Sequence, residues 1–581
     1  MGASTDPRLA KIVGAATPPP SNPDNSYIQV TKTIYGFKIS YTRTEYLREQ
    51  NAHIMETLTA DIGGPEEQYE AVLKPMPANK YETWLPKGPK VDGSDDTKGD
   101  DSARFYVVVR DKNNPDKLYP GNYTVKYQLK DVTHYKGITS NYPVFIGNKE
   151  ADFKISDSIK YFSDATFDPV SVTDSTATSK PNNGNIAILR LMCLDYGAWG
   201  KLTAEVTLDD GNTLTASPYY DKGETFITIP YDRDENKIAD AWEKSENILH
   251  KGYGLDWDED VKPDNHHNGD NIPLIDEYRG FLTEDDNYKP VYKRFSPQVK
   301  ELITIGLADM SGPGSQYKEP IKIGALGYGK ASGVKIYHLT NSKYGQHEPG
   351  EPSIVSYGRW VNYNSPLTTY TRGVTIYASD QQNPDPDPDV QLAYGTTMPL
   401  FSMDGAHRNF NGAMLPEETR GITIWMYNIN HHAYEPSEYL PAALHNDTTN
   451  QRKNGYIKKA NAEFHVNIDT LTASTLVAQF YYVNIARIIS FTVAHEICHA
   501  TYIHHHHFGG GNTSMFQGVS TCPVRYWMNN YIPENASTWV VMFITGLWNP
   551  ATLTTPWGPG DQMKLCTAGD DCFHQMKLKK N

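Results

Sequence analysis

Cysteine is scarce: Cys193, Cys498, Cys522, Cys566 and Cys572 are the only five in 581 residues. That number cannot staple a chain of this length, so a disulfide scaffold is excluded and apolar burial must hold the fold. Positive charge is also short. Lys and Arg number 54 against 69 Asp and Glu, a formal net charge of −15, and a nucleic-acid partner is not expected because phosphate is bound through a cationic excess. Long apolar runs are missing as well. TLVAQFYYVNIARIISFTVA carries Asn484 and Arg487 inside it, and WVVMFITGLW is too short to cross a bilayer, so both read as buried core and no transmembrane segment is expected. The opening MGASTDPRLAKIVGAATPPP has neither a sustained apolar stretch nor a cleavage-site pattern, so no signal peptide is seen.

What is abundant is aromatic and turn-forming: 39 Tyr, 44 Gly and 38 Pro, a balance that suits a β-rich, loop-rich globular chain of several domains. Residues 1–100 read as a β-rich region with a linker. YIQVTKTIYGFKISY suggests strands, EYLREQNAHIMETL a helix, and KVDGSDDTKGDDS a polar connection. Residues 101–230 carry short alternating runs, RFYVVVRD, YTVKYQL, IAILRLMCL, KLTAEVTL and ETFITIP, which predict all-β sandwich-like modules. From 282 to 581, strand-like GVKIYHL, GVTIYAS and GITIWMYNIN precede a helix-compatible stretch beginning near Ala473. That order predicts an α+β domain.

Between these lies an acidic connector, residues 231–281. Asp232, Asp234 and Asn236 alternate, and Asp240 and Glu243 fall at the ninth and twelfth places of an EF-hand-like loop, where oxygen ligands for Ca²⁺ belong. Lys237 stands where such loops need Gly. A second group, Asp256, Asp258, Asp260, Asp264, Asn268, Asp270, Asp276 and Glu277, repeats the theme. A plain solvated acidic linker is the competing reading. DRDENKIADAWE also resembles the calcium-binding segments of thrombospondin type 3-like bacterial extracellular proteins, which implies structural calcium and a secreted, extracellular location.

The sharpest chemical signal is HEICHATYIHHHHFGGG, residues 495–511. On a helix His495 and His499 share a face and offer two imidazoles to one Zn²⁺, with Glu496 placed to take a proton from metal-bound water. A catalytic zinc needs a third protein ligand and an open fourth position. His506 on a continued helix would lie about 16 Å from His495, so the chain must turn or the ligand must come from elsewhere. From Thr501 to Gly560 the sole acid is Glu534, just after a proline, so a histidine is favoured over a carboxylate. A surface polyhistidine that binds metal adventitiously is the bland reading of His504 to His507.

HEICHATYIHH resembles the metzincin motif HExxHxxGxxH. The resemblance implies a zincin-type catalytic domain, with His495, His499 and His505 as zinc ligands and Glu496 as base. Tyr502 replaces the glycine of that turn, so His504 or His506 remain open as substitutes for His505. VSTCPVRYWMNNY resembles the Met-containing turn that follows, with Val524 or Met528 at the supporting position. Tyr526 is a candidate to stabilise the oxyanion, or a packed core tyrosine. The tail with Cys522, Cys566 and Cys572 is similar to archaemetzincins and leaves open either a disulfide or a second zinc. Metzincins hold substrate along an edge strand, for which GITIWMYNIN, residues 421–430, is the expected segment. The function so implied is zinc-dependent endopeptidase action on a protein or peptide substrate. The alternative is a calcium-stabilised binding or adhesion protein whose peptidase domain is degenerate.

Overall fold

The computed structural model describes residues 27–34, 37–44, 59–65, 68–91, 100–141, 151–306, 317–340, 359–399, 419–433, 489–503 and 576–579, with shorter omissions inside these stretches. Two compact units emerge, Met1–Val72 with Val108–Pro120, and Leu73–Val107 with Gly121–Asn581. In the first, β1 (Tyr27–Ile34), β2 (Phe37–Thr44) and β3 (Thr59–Pro65) form a three-stranded sheet in that order. The β1–β2 register runs from Tyr27 opposite Thr44 to Ile34 opposite Phe37. The helix expected over residues 45–58 lies outside the described residues.

The strands that follow are β4 (Tyr69–Pro75), β5 (Asp100–Asp111), β6 (Tyr123–Lys130), β7 (Ala187–Cys193) and β8 (Gly200–Leu208). One sheet runs Ser217–Pro218, β4, β5, β7, Phe153–Ile155, and the other Thr213–Thr215, β8, β6, Thr176–Thr178, Ser171–Val172. Along β6 every second residue is buried, the period-2 pattern of a strand with one wet face. Register places Leu202 beside Leu129 and Val206 beside Val125, so buried side chains meet across the ladder. β4 falls within residues 1–100 yet is bonded into this sheet. Cys193 is buried, as its apolar strand suggests, and its Sγ donates to the Asp195 carbonyl at 3.1 Å.

The acidic connector is a packed layer. It contains α1 (Asp240–Ser245) and α2 (Leu274–Arg279), with Ile238, Trp242, Ile248, Leu274, Ile275 and Tyr278 forming a small core of its own. Arg279, fully buried, pairs with Asp195 through Nη2 at 2.6 Å and Nε at 3.0 Å. Its Nη1 donates to the Asn364 carbonyl at 2.6 Å. Asp276 accepts from Ser140 at 3.0 Å and Asn362 at 2.8 Å, so this member of the acidic series is spent on structure.

Beyond the connector comes a mixed sheet of β9 (Glu301–Gly306), β10 (Lys335–Leu339), β11 (Arg372–Ser379), β12 (Gly395–Pro399) and β13 (Thr419–Trp425). Its order is β10-β9-β11-β13-β12. β9 is parallel to β10 and β11, β11 is parallel to β13, and β12 is antiparallel. Helix α3 (Lys318–Ser332) makes the crossover from β9 to β10, as parallel neighbours require. Both faces are covered. Leu302, Val374, Ile376, Ile422 and Ile424 join α3 and the histidine helix on one side, and Ile303, Ile305 and Leu339 meet Ile272, Phe281 and Phe295 of the connector side on the other. All six residues of β9 are buried, the continuous run of a strand covered on both faces.

One expectation is corrected here. Residues 421–430 do not form the edge: β13 ends at Trp425 between β11 and β12, and Met426–Ala433 turns into α4. Gly421 to Met426 are buried without a break, which marks an interior strand. Among the described residues the edge belongs to β12, which stops at Pro399, a residue that sheets tolerate at their edges. No helix among the described residues is long and apolar enough to cross a membrane.

Candidate metal centres

Helix α5 (residues 492–500) carries the HExxH stretch. Ile489, Val493, Ala494, Ile497, Cys498 and Ala500 are all buried in the core under the sheet, so the apolar lead-in fixes which face turns inward. Close approach to α3 depends on Gly324: a Cβ there would sit 2.4 Å from the Ser490 carbonyl oxygen and 2.8 Å from the Val493 Cβ. Ser490 Oγ also donates to the Pro320 carbonyl at 2.7 Å.

On the opposite face the Nε2 atoms of His495 and His499 lie 3.2 Å apart. Two nitrogens about 2.0 to 2.1 Å from one tetrahedral ion would be separated by roughly this much. His499 Nδ1 is 2.9 Å from the Ile503 carbonyl oxygen. A carbonyl can only accept, so Nδ1 carries the hydrogen and Nε2, on the side of His495 Nε2, is the ring nitrogen left to ligate a metal. The donor set fits zinc as far as it is described. His505 and its alternatives, with Val524, Tyr526, Met528, Cys522, Cys566 and Cys572, lie outside the described residues.

Glu496 is buried under the edge strand. Thr397 Oγ1 of β12 is 2.6 Å from Glu496 Oε2 and 3.0 Å from its main-chain oxygen. A Cβ at Gly395 would come within 2.8 Å of Glu496 Cγ and 2.5 Å of Thr492 Cγ2, so only glycine lets β12 lie this close. Burial lifts the Glu496 carboxyl to about 7, against the opposing side-chain and backbone hydrogen bonds of Thr397. Nothing local in the sequence points to Thr397 or Gly395, about a hundred residues upstream of the motif.

The turn after α5 is a Schellman motif: the Ile503 N–H donates to the Cys498 carbonyl at 2.9 Å and the Tyr502 N–H to that of His499 at 3.3 Å. Tyr502 takes the left-handed conformation at φ +67°, where glycine is the usual occupant. Residues 576–579 support it. The Lys577 N–H donates to the Thr501 carbonyl at 2.9 Å, and its ammonium lies 4.9 Å from the Tyr502 ring centroid.

In the acidic connector, single carboxylate oxygens of Asp232, Asp234 and Asp240 lie within 4.8 Å of one another. Asn236 and Glu243 are tied to each other, Nδ2 donating to Oε1 at 2.9 Å, while Glu243 Oε2 and Asp232 Oδ1 are buried with no hydrogen-bond partner. Those two orphaned oxygens are what a hard cation would satisfy. Lys237 adopts φ +73°, so the loop makes its sharp turn without the glycine. Burial raises Asp232 and Glu243 to about 7. Comparison with protein-family models, curated proteins and solved structures finds no match.

Proposed function

We propose that this chain is a zinc-dependent metalloendopeptidase of metzincin-like type, with a catalytic α+β domain behind β-rich modules and a calcium-stabilised connector. One observation carries the reading: two imidazole Nε2 atoms 3.2 Å apart flank a glutamate that the sheet's edge strand holds by Thr397. Zinc, when bound there, supplies Lewis acidity and lowers the pKa of water toward about 7. His495 and His499 bind it, and the reading takes His505 as third ligand. Glu496, near neutrality, accepts the proton of the attacking water and returns it to the departing amine. On this reading an extended peptide adds as a further strand along β12, the last strand of the sheet among the described residues. Calcium at Asp232, Asp234, Asp240 and Glu243 stabilises the connector, and such a site suits an extracellular protein.

The test is metal content with proteolysis. Purified protein is expected to hold one tight zinc and to cleave denatured casein, His499→Ala to lose both, and Glu496→Ala to keep the zinc and lose cleavage. Protein that carries no zinc, or carries it and cleaves no protein substrate, overturns the reading in favour of a binding protein.

A further inference from the structure

We infer that Asp258, Asp260, Asp270, Glu277 and Glu301 form a second, buried calcium site that fastens the connector to the first strand of the mixed sheet. This holds whether or not the zinc centre is a peptidase. One carboxylate oxygen from each of Asp258, Asp260 and Asp270 lies within 4.8 Å of the others. Oxygens bound to one Ca²⁺ at about 2.3 to 2.6 Å can be up to roughly 5 Å apart, so the three can share an ion.

Proximity of acids alone is common on protein surfaces. Here four of the cluster's oxygens are sealed in without partners. Asp260, Glu277 and Glu301 are 6%, 1% and 3% exposed, yet both Asp260 oxygens, Glu277 Oε1 and Glu301 Oε2 accept no hydrogen bond. The remaining contacts set the shape of the loop. Asp258 accepts from the Asp270 and Asn271 N–H groups, each at 2.9 Å, and from Lys579 Nζ at 3.1 Å. Asp270 accepts from Ile272 at 2.9 Å and from Glu301 at 2.5 Å, and Glu301 Oε1 accepts from the Ser296 N–H at 3.2 Å.

Charge points the same way. Against the five carboxylates stand Lys579 on Asp258, Lys300, whose Nζ donates to the Asp260 carbonyl at 3.2 Å, and Lys335 near Glu301, where Glu246 adds a further negative charge. Desolvation and mutual repulsion drive Asp260, Asp270, Glu277 and Glu301 well above the usual carboxylate range. An isolated buried ion is strongly disfavoured, and a divalent cation offsets that penalty without protonating the group. All donors are oxygen, which excludes a preference for zinc or copper. A carboxylate-rich, enclosed set suits calcium's six to eight ligands better than magnesium, which keeps its waters. Gly269, at φ +62°, closes the loop so tightly that a Cβ would lie 2.2 Å from Asp258 Oδ1.

The experiment counts ions on the full chain, stripped with EGTA and titrated with calcium alone by calorimetry and native mass spectrometry. Two calcium ions are expected for the parent, one for D260N/E301Q, and one for D234N/D240N. D260N/E301Q also melts higher than the parent in EGTA, because repulsion is relieved, and lower than the parent in calcium, a crossover that misfolding does not produce. As an independent measurement, terbium bound to D234N/D240N luminesces through Trp257, next to Asp258, and Trp257→Phe dims it. Two ions retained in D260N/E301Q, or none in D234N/D240N, overturns the site.

Discussion

Tyr502 sits at φ +67°, where a side chain bearing a Cβ costs about 1 to 2 kcal/mol and glycine costs nothing. Replacing it with Ala removes the ring and its contact with Lys577 but keeps the conformational penalty. Replacing it with Gly removes both. The two variants lose the same contacts, so their difference isolates the backbone term, reduced by the few tenths of a kcal/mol by which glycine enlarges the unfolded ensemble. Gly is therefore expected to be the more stable by about 1 kcal/mol or a little more. The Ile503 amide reports on this directly, since it is held by the Cys498 carbonyl at 2.9 Å and exchanges only when the helix end opens. Its protection factor is expected to be about five to ten times higher in Tyr502→Gly than in Tyr502→Ala. Equal protection, or higher protection in the alanine variant, refutes the left-handed assignment.

Other outcomes follow from the same geometry. Gly395→Ala displaces β12 from Glu496 and is expected to lower kcat about 10- to 100-fold with zinc content unchanged, checked by casein cleavage against metal analysis. Thr397→Val removes the hydroxyl at 2.6 Å from Glu496 Oε2 and lowers kcat by about tenfold, whereas an unchanged kcat would show that the edge strand does not hold the base. With Asp232 and Glu243 raised to about 7, above unfolded values near 4, the calcium-free native state binds more protons than the unfolded chain. Its stability therefore falls as pH rises from about 4 through 7. The calcium-induced rise in Tm should thus grow from pH 5 to pH 8, and a rise that shrinks over that range contradicts the site. Arg279→Met leaves Asp195 buried without its partner and is expected to cost about 3 to 5 kcal/mol, read as a lower denaturant midpoint.

The local parts of this molecule were readable before any fold was known. Helical spacing alone aligned His495 with His499, the calcium-loop periodicity located Asp232, Asp234 and Asp240, and the motif itself marked Tyr502 as the residue that must turn. Apolar alternation likewise found the strands. What stayed hidden depends on partners distant in sequence. A strongly apolar strand and an edge strand look alike until the neighbours are known, so GITIWMYNIN reads as an edge, whereas the strand that covers Glu496 is the polar GTTMP, Gly395–Pro399. Asp276 looked like one more acid in a series, but Ser140 and Asn362 claim it. Glu301 gave no sign of joining Asp258, because the contact arises only when β9 packs beneath the connector.

Residues 576–579 bind both the end of α5 and Asp258, and the Asp258–Lys579 contact spans 321 positions of sequence. Lys579 leaves the ribosome some 75 residues after Ile503. At 5–20 residues per second the interval is about 4 to 15 s. Throughout it the histidine helix exists as sequence without the clasp that holds its last turn. The last turn of the helix can thus be clasped only once the chain has been made through Lys577.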